Sequence, residues 1–399
     1  MELEQAKDVV MEASKQLVKL GLVARTWGNV SCRVGEGHFL ITPSGKPYEK
    51  LQKNQLVLVD LEDLSYPKGV KPSSEKKLHR EVYKQKKDVG CVIHTHQEMA
   101  SLAGLLGKDI PVSPLGKALL GETIPAARYG LPGTKMLVKN AGKAIASHNA
   151  TTVLLANHGA LCFGKDGKGT LEIAKQLEVE CKAHLSKLVP LFGKESGEEV
   201  RTELISMVVS GEDIELDKNQ NQTQNKNQNK KEEKKQTEKQ ASGQAKTEDK
   251  GKPSIPKRAT RVASLLETDG GEKNCILFHT SPAVLAVGTK LDKLHSYLDD
   301  FAQIAGTKIL VVEANVERPR LIQVSKKCNA LVIRDVGAFC WATTRSDAEA
   351  VAMILEKNCK AALLAQEDPT VKPISWVDTH LMRFVYQKKY SKIAQGEGL

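Results

Sequence analysis

Apolar positions change from a helical period to a strand period within the first 60 residues. Residues 3–21 carry apolar side chains three and four positions apart, which predicts an amphipathic helix. The segments NVSCRV (29–34) and HFLITP (38–43) predict two short strands joined by Gly-Glu-Gly at 35–37, and LVLVD (56–60) predicts a third. The pattern therefore indicates one helix followed by several short strands.

Two later segments are apolar and rich in β-branched residues, as interior strands are. They read GCVIHTH (90–96) and TTVLLANHG (151–159). A helix is predicted over 76–85, with Ser74 as its cap, and a longer amphipathic helix over 171–192 would cover the sheet. Together these elements predict a three-layer α/β domain over residues 1–210.

The segment from 218 to 256 has no Leu, Val, Phe, Trp or Tyr, and Ile255 is its only large aliphatic residue. Such a stretch cannot bury enough apolar surface to offset the entropy lost on ordering. We therefore predict a charged, Asn-, Gln- and Lys-rich disordered linker over residues 211–257. A solvated tether is favoured over a segment that binds acidic partners weakly.

The net charge of +11 does not indicate a nucleic-acid-binding face, because of where the charge lies. Thirteen Lys or Arg residues stand against five Asp or Glu residues between Lys218 and Arg261. Most of the excess therefore belongs to the linker, and the remaining chain is close to neutral. No nucleic-acid partner is expected.

The chain after the linker repeats part of the first plan. CILFHTSPAVLAVG (275–288) echoes CVIHTHQEMASLAG (91–104), and residues 329–366 echo the strand, turn and long helix of 150–190. We predict a truncated second copy of the domain over residues 258–399.

Cysteine content and hydropathy indicate where the protein resides. Eight cysteines are scattered without a CxxC pair, so reduced thiols are expected. No apolar run approaches the roughly 20 residues that cross a bilayer, and the polar N-terminal segment does not resemble a secretory signal. A cytoplasmic protein without a membrane span is predicted.

Three histidines form the candidate metal centre. His94 and His96 are two positions apart at the end of a predicted strand, so their side chains share one face. His158, in the turn after another apolar strand, would complete a set of three nitrogen ligands and leave one position open, as in catalytic zinc sites. An HxH pair alone is more often structural, but the two motifs support each other. Manganese, cobalt and iron are not excluded by affinity order.

Five segments resemble, in order and spacing, the class II aldolase and adducin head family. They are TWGNVSCRV (26–34), LITPSGKPYEKL (40–51), PSSEKKLHREVY (72–83), VIHTH (92–96) and LLANHGALCFG (154–164). The resemblance covers about residues 1–195. It implies a central, mostly antiparallel sheet flanked by helices, with one Zn²⁺ per chain on His94, His96 and His158.

The resemblance also implies a reaction and its machinery. Glu75 would be the acid/base, able to ligate zinc when substrate is absent, and the enzyme would be an aldehyde-lyase. It would cleave a ketose 1-phosphate of the fuculose 1-phosphate type through an enediolate to dihydroxyacetone phosphate and an aldehyde. Three turns match the family's phosphate-binding turns: Gly28 with Asn29, Ser44 with Gly45, and Ser73 with Ser74.

Three alternatives stay open at this point. Two are sister reactions of the family, a pentulose-phosphate 4-epimerase and a methylthioribulose-phosphate dehydratase, and the third is a non-catalytic scaffold like adducin. Glu75 favours an aldolase over an epimerase, and the complete histidine set disfavours a scaffold. The family further implies a homo-oligomer of the fourfold tetramer type.

Departures from the family concern the second substrate and the second copy. Leu115 stands near the place of a family tyrosine that acts at the aldehyde oxygen. In the second copy, His279 is predicted to replace His94, while Ser281 and Val336 stand where His96 and His158 would be. The second copy is therefore expected to lack a metal site and to have a structural or regulatory role.

Overall fold

The computed structural model describes residues 1–23, 27–147, 149–194, 200–207, 256–267 and 274–394. We call residues 1–194 the first half and residues 200–394 the second half. The predicted linker at 211–257 lies outside the described residues except for its last two positions. The predicted domain boundaries therefore stay predictions.

The described strands are β1 (Asn29–Val34), β2 (His38–Ile41), β3 (Val57–Asp60), β4 (Cys91–Thr95), β5 (Ile110–Pro111), β6 (Thr123–Ile124), β7 (Ala126–Ala127), β8 (Thr152–Leu155), β9 (Gly159–Gly164), β10 (Arg201–Met207), β11 (Cys275–Thr280), β12 (Lys293–His295), β13 (Lys308–Val312), β14 (Ala330–Ile333) and β15 (Gly337–Ala342).

The described α-helices are α1 (Leu3–Lys19), α2 (Lys76–Gln85), α3 (Glu98–Gly104), α4 (Lys117–Leu120), α5 (Lys135–Ser147), α6 (Gly167–Leu188), α7 (Lys257–Glu267), α8 (Pro282–Lys290), α9 (Asp299–Ile304), α10 (Arg318–Ser325), α11 (Arg345–Glu367) and α12 (Trp376–Ala394). Short 3-10 helices occupy Tyr48–Lys50, Lys53–Gln55 and Pro190–Gly193.

The first half is built on a seven-stranded sheet in the order β3-β2-β1-β4-β9-β8-β7. Neighbouring strands are antiparallel except β7 and β8, which are parallel. Side chains of α1, α3 and α6 share one buried cluster with one face of the sheet, and those of α2 and α5 share a second cluster with the other face. The predicted three-layer, mostly antiparallel fold is confirmed.

Strand β4 shows how the sheet prepares the site. Cys91 and Ile93 belong to the cluster with α1 and α6, whereas Val92 belongs to the cluster with α2. Because side chains alternate between faces, His94 lies on the same face as Val92. The strand therefore presents His94 toward the layer that contains α2.

The second half contains a six-stranded sheet in the order β10-β11-β15-β14-β13-β12. Strands β11, β15, β14 and β13 follow the order and directions of β4, β9, β8 and β7, including the parallel pair at the end. Residues 201–207, which the sequence interpretation included in the first domain, form edge strand β10 of this second sheet. The shared topology supports the proposed truncated copy.

Strand pairing corrects the predicted alignment of His279. Cys275 pairs with Ala342 as Cys91 pairs with Gly164, so the residue that corresponds to His94 is Phe278 and not His279. By the same register Thr280, rather than Ser281, corresponds to His96. A shift of one residue turns a side chain to the opposite face of the sheet, which is why the predicted placement of His279 is wrong.

Several predicted element ends differ from the structure, and the long helix predicted over 171–192 spans Gly167–Leu188. Ser74 does not cap α2, which starts after Glu75 without a side-chain cap. The strand predicted over 151–159 ends at Leu155, and a turn carries the chain to β9.

Two further predictions concern the cysteine thiols and the lack of a membrane-spanning segment. All eight cysteines are buried and none forms a disulfide bond. Among the described helices, none combines the length and apolar character that a membrane span requires.

Candidate metal centre and catalytic site

The first two histidines lie at the end of β4. His94 is fully buried in β4, and His96 follows the end of the strand, with 3.0 Å between the two Nε2 atoms. The neighbouring chain approaches closely: a Cβ atom on Gly159 would lie 2.2 Å from the Thr95 carbonyl oxygen. A Cβ on Gly28 would lie 2.5 Å from the carbonyl oxygen of His94. Both glycines therefore permit the close packing around the histidine pair.

The turn between β8 and β9 supplies His158. Asn157 adopts a left-handed conformation with φ of 63°, which directs the next residue back toward β4. The His158 ring stacks on His94 at a centroid distance of 4.8 Å and meets His96 edge-on at 4.7 Å. All three predicted ligands are thus brought together.

Glu75 joins the histidines from the start of α2. Its Oε1 lies 2.8 Å from His158 Nε2, and its Oε2 lies 3.2 Å from His94 Nε2. One ligand atom from each of Glu75, His94, His96 and His158 lies within 4.8 Å of the others. A carboxylate at the positive end of a helix is also favoured by the helix dipole.

Hydrogen bonds on the outer side of the rings define the tautomers. His94 Nδ1 donates to the carbonyl oxygen of Ala160 at 2.9 Å, so its Nε2 carries the lone pair. His158 Nδ1 lies against the carboxylate of Asp299 and donates to it. Without a proton or a cation between them, the Nε2 lone pairs would therefore face one another and the oxygens of Glu75. The donor set fits a divalent metal ion.

The pKa shifts agree with a site that attracts positive charge. Burial lowers the pKa of His94 well below its ordinary value, so this ring is neutral, as a ligand must be. Burial opposes protonation of His158, but the carboxylates of Asp299 and Glu75 raise its pKa well above the ordinary value. Burial would raise the pKa of Glu75, yet His94 and His158 hold it well below its usual range.

A buried hydrogen-bond chain lies behind Glu75. Asn29 Nδ2 donates to Glu75 Oε2 at 3.0 Å, and Asn29 Oδ1 accepts from His79 Nε2. His79 Nδ1 accepts from Ser31 Oγ at 2.6 Å, and Ser31 Oγ accepts from Tyr83 at 2.8 Å. Burial lowers the pKa of His79 to about 4, so the ring stays neutral. The chain orients Asn29 and, through it, the Glu75 carboxylate.

The three predicted phosphate turns also meet in space. Thr42 N donates to Val30 O, and Ser73 N donates to Thr42 O, each at 3.0 Å. Ser44 N donates to Lys71 O at the same distance, next to Gly45, whose φ is 71°. These bonds tie the segments that contain Gly28 and Asn29, Ser44 and Gly45, and Ser73 and Ser74. Their role in phosphate binding stays a prediction.

The second half contributes residues that sequence reasoning did not find. Asp299 and Asp300 are 1% and 3% exposed, and the Asp299 carboxylate contacts His158. Lys357 Nζ donates to the carbonyl oxygen of His96 at 3.0 Å and to Asp300 at 2.8 Å. These two aspartates stand between the apolar residues Leu298 and Phe301 in the sequence. Such a pattern indicates buried charge, but it does not identify the group that pairs with that charge.

The corresponding place in the second half lacks this chemistry. Phe278 and Val336 are buried apolar residues at the positions of His94 and His158. His279 points elsewhere: its Nδ1 lies 2.9 Å from Thr202 Oγ1, and its Nε2 lies 3.5 Å from Glu356. Among the described residues, the two groups able to hold a metal both contain His96.

Leu115 is 92% exposed on the loop before α4. Nothing in its surroundings within this chain assigns it a role at the site.

Comparison with known proteins shows to which family the chain belongs. Residues 8–185 match the model of the Class II Aldolase and Adducin N-terminal domain. L-fuculose phosphate aldolase of Escherichia coli (strain K12) is 32% identical over 189 residues, which are 47% of this chain and 86% of that protein. The chain belongs to the class II aldolase and adducin family.

Other relatives differ in the reaction they are named for. The 5-methylthioribulose-1-phosphate/5-deoxyribulose-1-phosphate aldolase of Rhodospirillum rubrum is 35% identical over 170 residues, covering 42% of this chain and 75% of that protein. The L-ribulose-5-phosphate 4-epimerase UlaF of Salmonella paratyphi C is 30% identical over 193 residues, covering 45% and 84%. The relatives thus include proteins named for aldol cleavage and a protein named for epimerisation.

Proposed function

We propose that this chain is a zinc-dependent class II aldolase that cleaves a ketose 1-phosphate to dihydroxyacetone phosphate and an aldehyde. The observation that carries the proposal is the convergence of His94, His96 and His158 on the carboxylate of Glu75. Aldolases that act on 1-phosphates stand among the relatives, which supports this reaction over the others.

The three imidazoles are the proposed metal ligands. Three imidazole nitrogens at this spacing would suit Zn²⁺ and would leave a position open to substrate. A cation bound there would supply Lewis-acid stabilisation of the negative charge that develops on the substrate oxygens. His94 and His158 keep their Nε2 atoms directed inward through the hydrogen bonds that their Nδ1 atoms donate.

Glu75 is the proposed acid/base. Both of its oxygens lie within 3.2 Å of ligand nitrogens, so it can act as a ligand before substrate arrives and as a proton acceptor once displaced. Its low pKa keeps the carboxylate ionised in this site. Asn29 holds one carboxylate oxygen by donating to it, which limits the directions in which Glu75 can turn.

The phosphate is proposed to bind at the three linked turns. Gly28 and Gly45 would let a phosphate approach the backbone closely, and Ser44, Ser73 and Ser74 add hydroxyl donors. Because the Ser73 and Ser74 turn leads directly into Glu75, phosphate binding there would place the substrate's reacting carbons next to the acid/base.

Two finer properties belong to the same proposal. A homo-oligomer, with a tetramer as the expected form, is supported by large apolar side chains exposed on α12 at positions 376, 377, 381, 384 and 385. Light scattering on the purified chain tests this assembly. A cytoplasmic location is proposed from the sequence.

The reaction can be tested with purified full-length protein loaded with Zn²⁺. Fuculose 1-phosphate, 5-deoxyribulose 1-phosphate and 5-methylthioribulose 1-phosphate are offered separately, and dihydroxyacetone phosphate is detected through NADH oxidation by a coupled dehydrogenase. The expected result is release of dihydroxyacetone phosphate from at least one substrate, and none with His96→Ala.

Three other outcomes would contradict an aldolase. Conversion of ribulose 5-phosphate to xylulose 5-phosphate without cleavage of any 1-phosphate would identify an epimerase. Loss of water from 5-methylthioribulose 1-phosphate would identify a dehydratase. A protein that binds no metal and turns over none of these compounds would support the scaffold alternative.

A further inference from the structure

The contact between the two halves lies directly behind the candidate metal ligands. The segment from Tyr297 to Asp300 runs beside the turn that carries His158. Asp299 N donates to Asn157 O at 3.0 Å, and Asn157 Nδ2 donates to Tyr297 O at 2.7 Å. These two bonds fix the segment against the turn immediately before the Asp299 side chain.

The Asp299 carboxylate has both oxygens engaged. One oxygen pairs with His158 Nδ1, and the other accepts from the backbone N–H of Asp300 at 2.7 Å. With its side chain only 1% exposed, the carboxylate is shielded from competing water. A charged acceptor in this position fixes the ring orientation of His158 and raises the basicity of its Nε2.

A second contact acts on His96. Lys357 reaches from α11 and donates to the carbonyl oxygen of His96 and to the Asp300 carboxylate. That carboxylate lies 3.8 Å from His96 Nδ1, which is buried and has no hydrogen-bond partner among the described residues. Lys357 also neutralises Asp300, so this pair holds the backbone of His96 without leaving an uncompensated charge.

Asp299, Asp300 and Lys357 all lie outside the family match at residues 8–185. We propose that the second half completes the metal centre of the first, with Asp299 as the positioning residue for His158. The inference rests on the proposed function, because it requires His158 to be a metal ligand. It gives the second half, which has lost the corresponding histidines, a specific task in binding the metal.

Metal affinity tests this role without relying on turnover. The Kd for Zn²⁺ is measured by chelator competition for wild type, Asp299→Ala and Asp299→Asn, all as full-length chains. Asp292→Asn is the matched control, because Asp292 also lies in the second half but has a 94% exposed side chain that pairs with Arg334. Thermal unfolding of the metal-free proteins reports whether each variant folds.

Asp299→Ala is expected to weaken Zn²⁺ binding about 10- to 100-fold, as loss of a partner behind a metal-bound histidine does. Asp299→Asn, which keeps an acceptor oxygen but not the charge, should lie between Asp299→Ala and wild type. Asp292→Asn should bind like wild type. The Co²⁺-loaded Asp299→Ala variant should also show a changed visible spectrum, because the ring of His158 is no longer held.

The possible results distinguish failure of this inference from failure of the proposed reaction. Equal Zn²⁺ affinity in wild type and Asp299→Ala would remove the positioning role and leave the aldolase proposal intact. Two Zn²⁺ per chain, with one lost in Asp299→Ala, would make Asp299 a ligand instead. A wild type that binds no Zn²⁺ would overturn both proposals, whereas weakened binding without any aldolase activity would overturn the reaction alone.

A measurement on wild type decides the matter if both Asp299 variants fail to fold. In Zn²⁺-loaded protein labelled with ¹⁵N-histidine, the proton on His158 Nδ1 should exchange slowly with water and appear downfield, because it is buried and donated to a carboxylate. Absence of a protonated Nδ1 at His158 would overturn the proposal.

Discussion

The hairpin of β8 and β9 and the hairpin of β14 and β15 pair in the same register. Leu155 lies opposite Gly159, and Ile333 lies opposite Gly337. Each turn contains one residue in the left-handed conformation, Asn157 with φ of 63° and Asp335 with φ of 57°. The backbone is therefore repeated, but the next residue is His158 in one turn and Val336 in the other.

The neighbouring strands show the same contrast. Where β4 presents His94, β11 presents Phe278, whose ring lies 5.4 Å from that of Phe339. The polar pair of the second half, His279 with Glu356, lies on the opposite face of its strand. The backbone that the two hairpins share therefore does not by itself make a metal centre. Side chains on one face of one strand and one turn determine whether a metal can bind.

The largest effect is expected at Glu75, which has no counterpart among the described residues of the second half. Glu75→Gln keeps the shape and an acceptor oxygen but cannot take up a proton, so turnover should fall about 10²- to 10⁴-fold. Zn²⁺ content should stay near that of wild type, because the three histidines remain. Coupled assays and metal analysis on the same preparation check this. Turnover within threefold of wild type would contradict an acid/base role.

A pair of glycine variants sharpens the comparison between the hairpins. In Gly159→Ala the new Cβ would lie 2.2 Å from Thr95 O and 3.3 Å from the His94 ring. In Gly337→Ala it would lie 2.7 Å from the Phe278 ring, at a φ of 145°. Each variant should lose up to about 3 kcal/mol of unfolding free energy through overpacking.

Only the first of these glycine variants should also weaken Zn²⁺ binding, because only its neighbours are ligands. Denaturant unfolding and chelator competition give the two quantities separately. If Gly337→Ala weakened Zn²⁺ binding as much as Gly159→Ala does, the proposed difference between the two hairpins would be wrong.

A smaller effect concerns His79, which lies in the chain behind Glu75. Its pKa of about 4 in the folded protein lies below the ordinary value of about 6.5, so the unfolded chain takes up the proton first. The stability that this group contributes is present above pH 6.5 and is lost as the pH falls toward 4. The loss from pH 7 to pH 5 should be about 2 kcal/mol.

His79→Gln, which does not titrate, isolates this contribution. It should be less stable than wild type at pH 7, yet lose about 2 kcal/mol less on acidification to pH 5. Urea unfolding of both proteins at the two pH values measures the difference. Equal pH dependence in the two proteins would show that His79 does not carry this proton linkage.

Local patterns in the sequence were sufficient to predict five strands of the first sheet and to single out the three histidines that the structure brings together. His94 and His96 share a face because strand side chains alternate, and Glu75 entered through the resemblance of its segment to the family. The same local similarity misplaced His279 by one position, because it matched short strings of letters and did not include the strand pairing that determines register. Pairing is a tertiary property that a single strand does not encode.

Asp299 illustrates a different limit. It lies 141 positions from His158 in the chain, and no period or spacing links the two. A buried carboxylate needs a partner, so the sequence could indicate that Asp299 has one, but not which group it is. The identity of that partner follows only from the way the two halves pack.

The metal content of the purified full-length chain decides whether these histidines form a metal centre. Wild type, His96→Ala and His279→Ala are analysed by elemental mass spectrometry after identical Zn²⁺ reconstitution and dialysis. We expect about one Zn²⁺ per chain in wild type and in His279→Ala, and little in His96→Ala. Absence of Zn²⁺ from wild type, or its retention in His96→Ala, would contradict a metal centre at these histidines.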